Sequence, residues 1–96
     1  MYIVVSEWEV LPGKEEEFHR VAGAIGQILR TQPGVVMVEA FDSGGKKMAV
    51  HGYKDEATYR ALVQDPNGVF ARAVEESGLE KIARWVRSER GETIDF

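Results

Sequence analysis

The chain predicts an α+β domain in the ferredoxin-like order β-α-β-β-α-β, a four-stranded antiparallel sheet with helices on one face. Three observations carry that expectation. Strand-like and helix-like runs follow one another in this order, the apolar spacing switching between two and about 3.6 residues. Turn-forming groups, Pro12-Gly13, Gln32-Pro33-Gly34, Gly44-Gly45 and Ser77-Gly78, punctuate the runs. The first run is also apolar on both faces, so it belongs inside the sheet, with helices behind it and something else in front.

Tyr2 to Leu11 is rich in β-branched and aromatic residues, which suit a pleated, half-buried surface. Alternation puts Val4, Ser6, Trp8 and Val10 on one face and Ile3, Val5, Glu7, Glu9 and Leu11 on the other. Pro12-Gly13 stops the strand, and Glu15-Glu16-Glu17 opens a helix at the end where the macrodipole favours acids. Phe18, Val21, Ala22, Ile25, Ile28 and Leu29 form one stripe of an amphipathic helix over 14–31, with His19 off the stripe toward solvent. Gly23 and Gly26 each cost that helix about 0.5–1 kcal/mol relative to Ala. They read either as a tolerated weakness or as room for another backbone or a ligand.

Val35 to Phe41 reads as the second strand, Asp42-Ser43-Gly44-Gly45 as a hairpin loop and Lys46 to Tyr53 as the return strand. The faces of the return strand are Met48/Val50/Gly52 and Lys47/Ala49/His51/Tyr53. Asp55 caps a helix carrying Ala57, Tyr59, Leu62 and Val63. Asp65-Pro66-Asn67-Gly68 breaks it before a second half with Val69, Phe70, Ala73 and Val74. Ile82 to Arg87 is the last strand, and 91–96 a short tail. Ile3, Val5, Met48 and Val50 make the uncovered sheet face too apolar to leave wet. Its expected partner is a second copy, giving a homodimer.

At 96 residues this is one domain, 1–96, able to build a core with little area to spare. A composition 44% hydrophobic and 29% charged is that of a globular protein rather than a disordered one. No run approaches a bilayer span and nothing reads as a leader, so no membrane is expected. The chain has no cysteine, which excludes disulfides, thiolate nucleophiles and cysteine-held metal clusters and suits a reducing cytoplasm. A net charge of −4 argues against nucleic acid, which demands a basic face. Two histidines on separate elements give no metal-ligand spacing, and Gly44-Gly45, with no helix after it, is not a phosphate loop.

Val10-Leu11-Pro12-Gly13-Lys14 with Glu15-Glu16-Glu17-Phe18 resembles the opening of the antibiotic biosynthesis monooxygenase superfamily. So do Gln32-Pro33-Gly34-Val35 and Val50-His51-Gly52-Tyr53-Lys54-Asp55-Glu56-Ala57, and the likeness runs through nearly the whole chain. The resemblance implies a dimeric α/β barrel, with each pocket between the sheet and its own helices. Members include cofactor-independent oxygenases of polycyclic phenols and haem-degrading enzymes. The haem-degrading members are similar to one another in an Asn on the first strand, a Trp ending the third and a haem-ligating His on the second helix. Those positions here are Trp8, Tyr53 and Val74, so haem is disfavoured and no cofactor is expected.

The resemblance turns Tyr53 toward the helices, and alternation then brings His51 to the same face. Ser6 and Trp8 face them from the first strand, under Tyr59, Phe70 and Val74. These residues form an aromatic pocket with a few polar groups, the usual make-up of a small-molecule site. His51, with a reference pKa of about 6.5, is suited to abstracting a phenolic proton, Tyr53 to donating to a carbonyl and Trp8 to stacking on a flat ring. Three functions are consistent with this pattern. One is a cofactor-independent monooxygenase of a small aromatic or quinol-type substrate. The second is a non-redox isomerase or lyase using His51. The third is a non-catalytic binding or structural dimer, with His51, Trp8 and Phe70 as core residues.

Overall fold

The structure, a computed structural model, describes residues 1–96. Its elements are β1 (Tyr2–Val10), α1 (Glu15–Arg30), β2 (Val35–Ser43), β3 (Lys46–Tyr53), α2 (Glu56–Tyr59), α3 (Val69–Ser77) and β4 (Ala83–Glu92). The strands form one antiparallel sheet in the order β2-β3-β1-β4. This is the ferredoxin-like α+β arrangement, with β1 in the interior as its two apolar faces require. No helix is long and apolar enough to cross a membrane.

Helix α1 lays Phe18, Val21, Ile25 and Leu29 on the sheet. Ile28 departs from the expected stripe and is 42% exposed. At about 100° per residue it falls beyond the edge of the arc that Ile25 and Leu29 centre. Asp55 caps α2 as expected, its carboxylate accepting from Thr58 N at 2.8 Å. The chain then widens into a π-turn over Arg60–Gln64 before the break at 65–68. Gly78 ends α3 in the left-handed conformation, φ +72°, as a helix-terminating glycine does.

Two strands outrun the expected limits. β2 continues to Ser43, so Gly44-Gly45 alone makes the hairpin turn, both residues at positive φ (56° and 86°). β4 continues to Glu92, with Tyr2 opposite Glu92, so 91–92 belong to the sheet rather than to a tail. Ser88 to Glu92 carries no apolar alternation. It is strand because the whole length of β1 offers it hydrogen bonds.

The apolar core divides into two clusters. One gathers Phe18, Val21, Ile25, Leu29 and Val38 with Ala73, Val74, Leu79, Ile82 and Ala83. The other is Tyr2, Val4, Tyr53 and Tyr59, with Tyr59 ring centroids 5.3 and 5.4 Å from Tyr2 and Tyr53. Helices cover one sheet face only; Ile3, Val5, Met48 and Val50 lie half-buried on the other.

Gly68 is where the two halves of the second helical segment meet. A Cβ there would stand 2.7 Å from Ala61 O and 3.0 Å from the carbonyls of Asp65 and Leu62. Backbone cannot swing aside as a side chain does. Gly68→Ala is therefore expected to lower stability by about 1–3 kcal/mol, the usual effect of overpacking, in a denaturant titration. Gly91→Ala, whose Cβ meets nothing within 4 Å, is the control that should stay near the parent.

Candidate active site

The space between the two core clusters is a cavity of about 670 Å³ bounded by the sheet, α1 and the α2–α3 segment. Strand register explains why it is open. Ala40 pairs with Ala49, Ala49 with Ser6 and Ser6 with Ser88, so one small side chain from each strand lines up across the sheet. At about 4.8 Å between strands, this row is a trough about 14 Å long. The row on one side is Val38, His51, Val4 and Arg90; the row on the other is Asp42, Lys47, Trp8 and Trp85. Opposite the trough, α1 presents Ala22, Gly23 and Gly26. A Cβ on Gly23 would meet nothing within 4 Å, and one on Gly26 only Val38 Cγ1 at 3.6 Å. No backbone approaches either glycine. Their effect is to keep the helix wall of the cavity bare.

A bulge in β4 sets the far end. The register shifts between Glu7 and Trp8, leaving Val86 unpaired and turning both Trp85 and Ser88 to the cavity face. Trp85 Nε1 donates to Ser88 Oγ at 2.8 Å, and Ser88 Oγ lies 2.8 Å from Ser6 Oγ. At the hairpin end, Lys47 contacts Asp42 (2.6 Å), Glu15 (3.0 Å) and His19 Nε2 (3.2 Å), tying β2 and β3 to the start of α1. The hydrogen bond from Lys47 holds the Asp42 carboxyl below its ordinary range.

Ser6, Trp8, Tyr59, Phe70 and His51 all line the cavity, whereas Tyr53 and Val74 do not. Val74 is buried in the larger cluster beside Phe18 and Leu79. Tyr53 does face the helices, but it is fully enclosed behind His51, and its Oη lies 3.0 Å from His51 Nδ1. Burial, and then the neighbouring Tyr59, pushes the Tyr53 phenol well above its ordinary pKa. Burial pushes the His51 imidazole down to about 4, so it is neutral at pH 7.

Arg90, Ser88, Trp85, Lys47 and the Ala40–Ala49 pair line the cavity but were not singled out from the sequence. The one available signal was the short side chain at alternate positions of β1 and β3, Ser6 and Ala49. Nowhere do three or more His, Cys, Asp or Glu side chains gather as a metal-binding group would.

No family model matches this sequence, and no curated protein matches it. Solved structures do. SnoaB, a cofactor-independent oxygenase from Streptomyces nogalater, superimposes with a TM-score of 0.79 at 15% identity, covering 99% of this chain and 94% of its own. A structure described as an antibiotic biosynthesis monooxygenase gives 0.74 at 14% identity, covering 99% of this chain and 100% of its own. The fold is that of the antibiotic biosynthesis monooxygenases. MupZ from Pseudomonas fluorescens shares this monooxygenase fold at a TM-score of 0.73 and 15% identity, over 93% of this chain and 69% of its own. The resemblance read from the sequence and the three-dimensional likeness thus agree on the monooxygenase fold.

The neutral His51 makes stability depend on pH. Its folded pKa, about 4, lies below the reference of about 6.5. Between those values the unfolded chain binds a proton that the folded one refuses, so stability falls as pH falls through that window. The expected loss is about 2–3 kcal/mol by pH 4, with no contribution above pH ~7. Asp42 and Asp55, held low by hydrogen bonds from Lys47 and Thr58, add acid sensitivity only below the ordinary carboxylate range. Denaturant titrations from pH 7 to 4 should show this slope in the parent and a flatter one in His51→Gln.

Proposed function

We propose that this chain is a cofactor-independent monooxygenase, an oxidoreductase acting on a small phenolic or quinol-type aromatic held in the cavity. The observation that carries the reading is the trough itself. A bare floor of Ala40, Ala49, Ser6 and Ser88 under a helix stripped to Ala22, Gly23 and Gly26 leaves a slot suited to a flat ring system. Trp8 is placed to stack on such a ring and Phe70 to cover it, with His51 beside the slot as its polar partner. The solved structure of SnoaB, described as a cofactor-independent oxygenase, supports the same class.

The chemistry needs only substrate and dioxygen. A ring carbon activated by a phenol loses a proton, and the carbanion passes one electron to dioxygen. The resulting radical pair joins as a peroxide anion, which takes up a proton to become a hydroperoxide and then loses water. A methylene thereby becomes a carbonyl, one oxygen atom staying in the product and the other leaving as water. The protein's part is to orient the ring and stabilise the anion beside His51.

The uncovered sheet face extends the proposal to a homodimer through Ile3, Val5, Met48 and Val50. Sedimentation equilibrium returning a monomer at micromolar concentration would contradict it.

Oxygen uptake with a panel of hydroxynaphthalenes and anthrone-type phenols tests the activity. Uptake should match product formation one to one, and His51→Ala should lower turnover by about 10²–10⁴-fold while still folding. Silence across the panel, or a His51→Ala protein as active as its parent, would remove the reading.

A further inference from the structure

Two arrangements of hydrogen are compatible with the 3.0 Å contact between His51 Nδ1 and Tyr53 Oη. If the phenol donates, Nδ1 is the acceptor and the neutral ring carries its proton on Nε2. If Nδ1–H donates, Nε2 is bare and the phenol's own O–H has no acceptor. Tyr53 is 0% exposed, and His51 is the sole hydrogen-bond partner of its hydroxyl. Nε2 has no partner in the protein, yet no polar side-chain atom is both buried and unsatisfied. Nε2 is therefore open to the cavity that His51 lines, where water or a ligand serves it equally well as donor or acceptor. The atom that cannot reach water decides the direction, because an unmade bond is costly only there.

We infer that Tyr53 is a positioning residue that locks His51 in its Nε2–H tautomer, so that the cavity presents a neutral N–H donor to an anionic or carbonyl oxygen of the ligand. This rests on the reading of the cavity as an oxygenase site, and it reverses the role a histidine would take there by default. In the locked ring neither nitrogen is free to accept: Nδ1 is occupied by the Tyr53 hydroxyl and Nε2 by its own proton. The substrate's proton consequently leaves to water. His51 acts on the oxygen left behind, donating Nε2–H to the phenolate or enolate and holding the anion that dioxygen then oxidises. Burial keeps the ring neutral, consistent with a donor that never competes as a base. The ligand class this selects has an oxygen in the ring plane at the edge facing His51; a hydrocarbon of the same shape has nothing for Nε2–H to bind.

Long-range proton–nitrogen correlation spectra of the full-length protein at pH 7 read the tautomer without any substrate. His51 should show a protonated, pyrrole-type Nε2 and an unprotonated, pyridine-type Nδ1. Tyr53→Phe keeps the ring in its place beside Tyr59 and removes only the hydroxyl. It should move both His51 nitrogens toward a mixture of tautomers. A protonated Nδ1 in the parent, or spectra unchanged in Tyr53→Phe, would overturn the inference. Where a turnover substrate has been found, His51→Gln adds a second readout, since its side-chain amide N–H can stand near the lost Nε2–H. It should retain about tenfold or more activity over His51→Ala, the loss expected for one hydrogen bond to a charged oxygen. Equal activities would restore the base. Failure to find oxygen uptake would sink the oxygenase reading while leaving the nitrogen shifts to judge the tautomer on their own.

Discussion

The arrangement depends on one hydroxyl at the middle of the central strand. Ser6 stands between Val4, which belongs to the tyrosine-rich cluster, and Trp8, which packs on the larger one. A leucine or valine there would bridge the clusters and close the core. The serine is short, and its hydroxyl is satisfied by Ser88, which in turn accepts from Trp85. A half-buried hydroxyl without such partners would cost free energy; with them it leaves a floor that is low, polar and stable. The split core, the cavity and the reach of His51 into it follow from that residue and its register.

The walls of the cavity carry a stability cost visible in single residues. Gly23 and Gly26 each forgo about 0.5–1 kcal/mol of helix propensity, although both have room for a methyl group. An interior kept open loses the dispersion contacts that a filled one would make. What offsets this lies at the ends: the aromatic cluster of Tyr2, Tyr53 and Tyr59 on one side, the Phe18–Leu29 stripe on the other. The Lys47 contacts to Glu15, Asp42 and His19 close the hairpin end, where both carboxylates are exposed and screening keeps each pair weak. That end is better regarded as a fastening of α1 to the hairpin than as a source of stability.

Much of this was legible in the sequence. Alternation put Val4, Ser6 and Trp8 on one face of β1 and His51 and Tyr53 on one face of β3. The family resemblance turned those faces toward the helices, and the turn residues marked the breaks. The site was less legible, for three physical reasons. Ser88 and Arg90 sit in a polar stretch that forms strand only because β1 extends alongside it. The bulge at Val86 re-aims Trp85, and no periodicity signals a single inserted residue. Tyr53 and His51 share a face, yet strand alternation cannot say that one ring would be sealed behind the other. Val74 and Phe70 illustrate the same limit on α3, where Val74 fills the core while Phe70 reaches the cavity.

The central claim is that the trough is a binding slot for a flat hydroxyaromatic. Titrating isotope-labelled protein with 2-naphthol and following the methyl and amide resonances tests it most directly. Saturable shifts should concentrate on the Ala40 and Ala49 methyls, the Gly23 and Gly26 amides and the His51 ring. Gly13 and Gly91, away from the cavity, should stay still. Shifts confined to Val5 and Val50 on the uncovered sheet face, or none at saturation, would contradict the account.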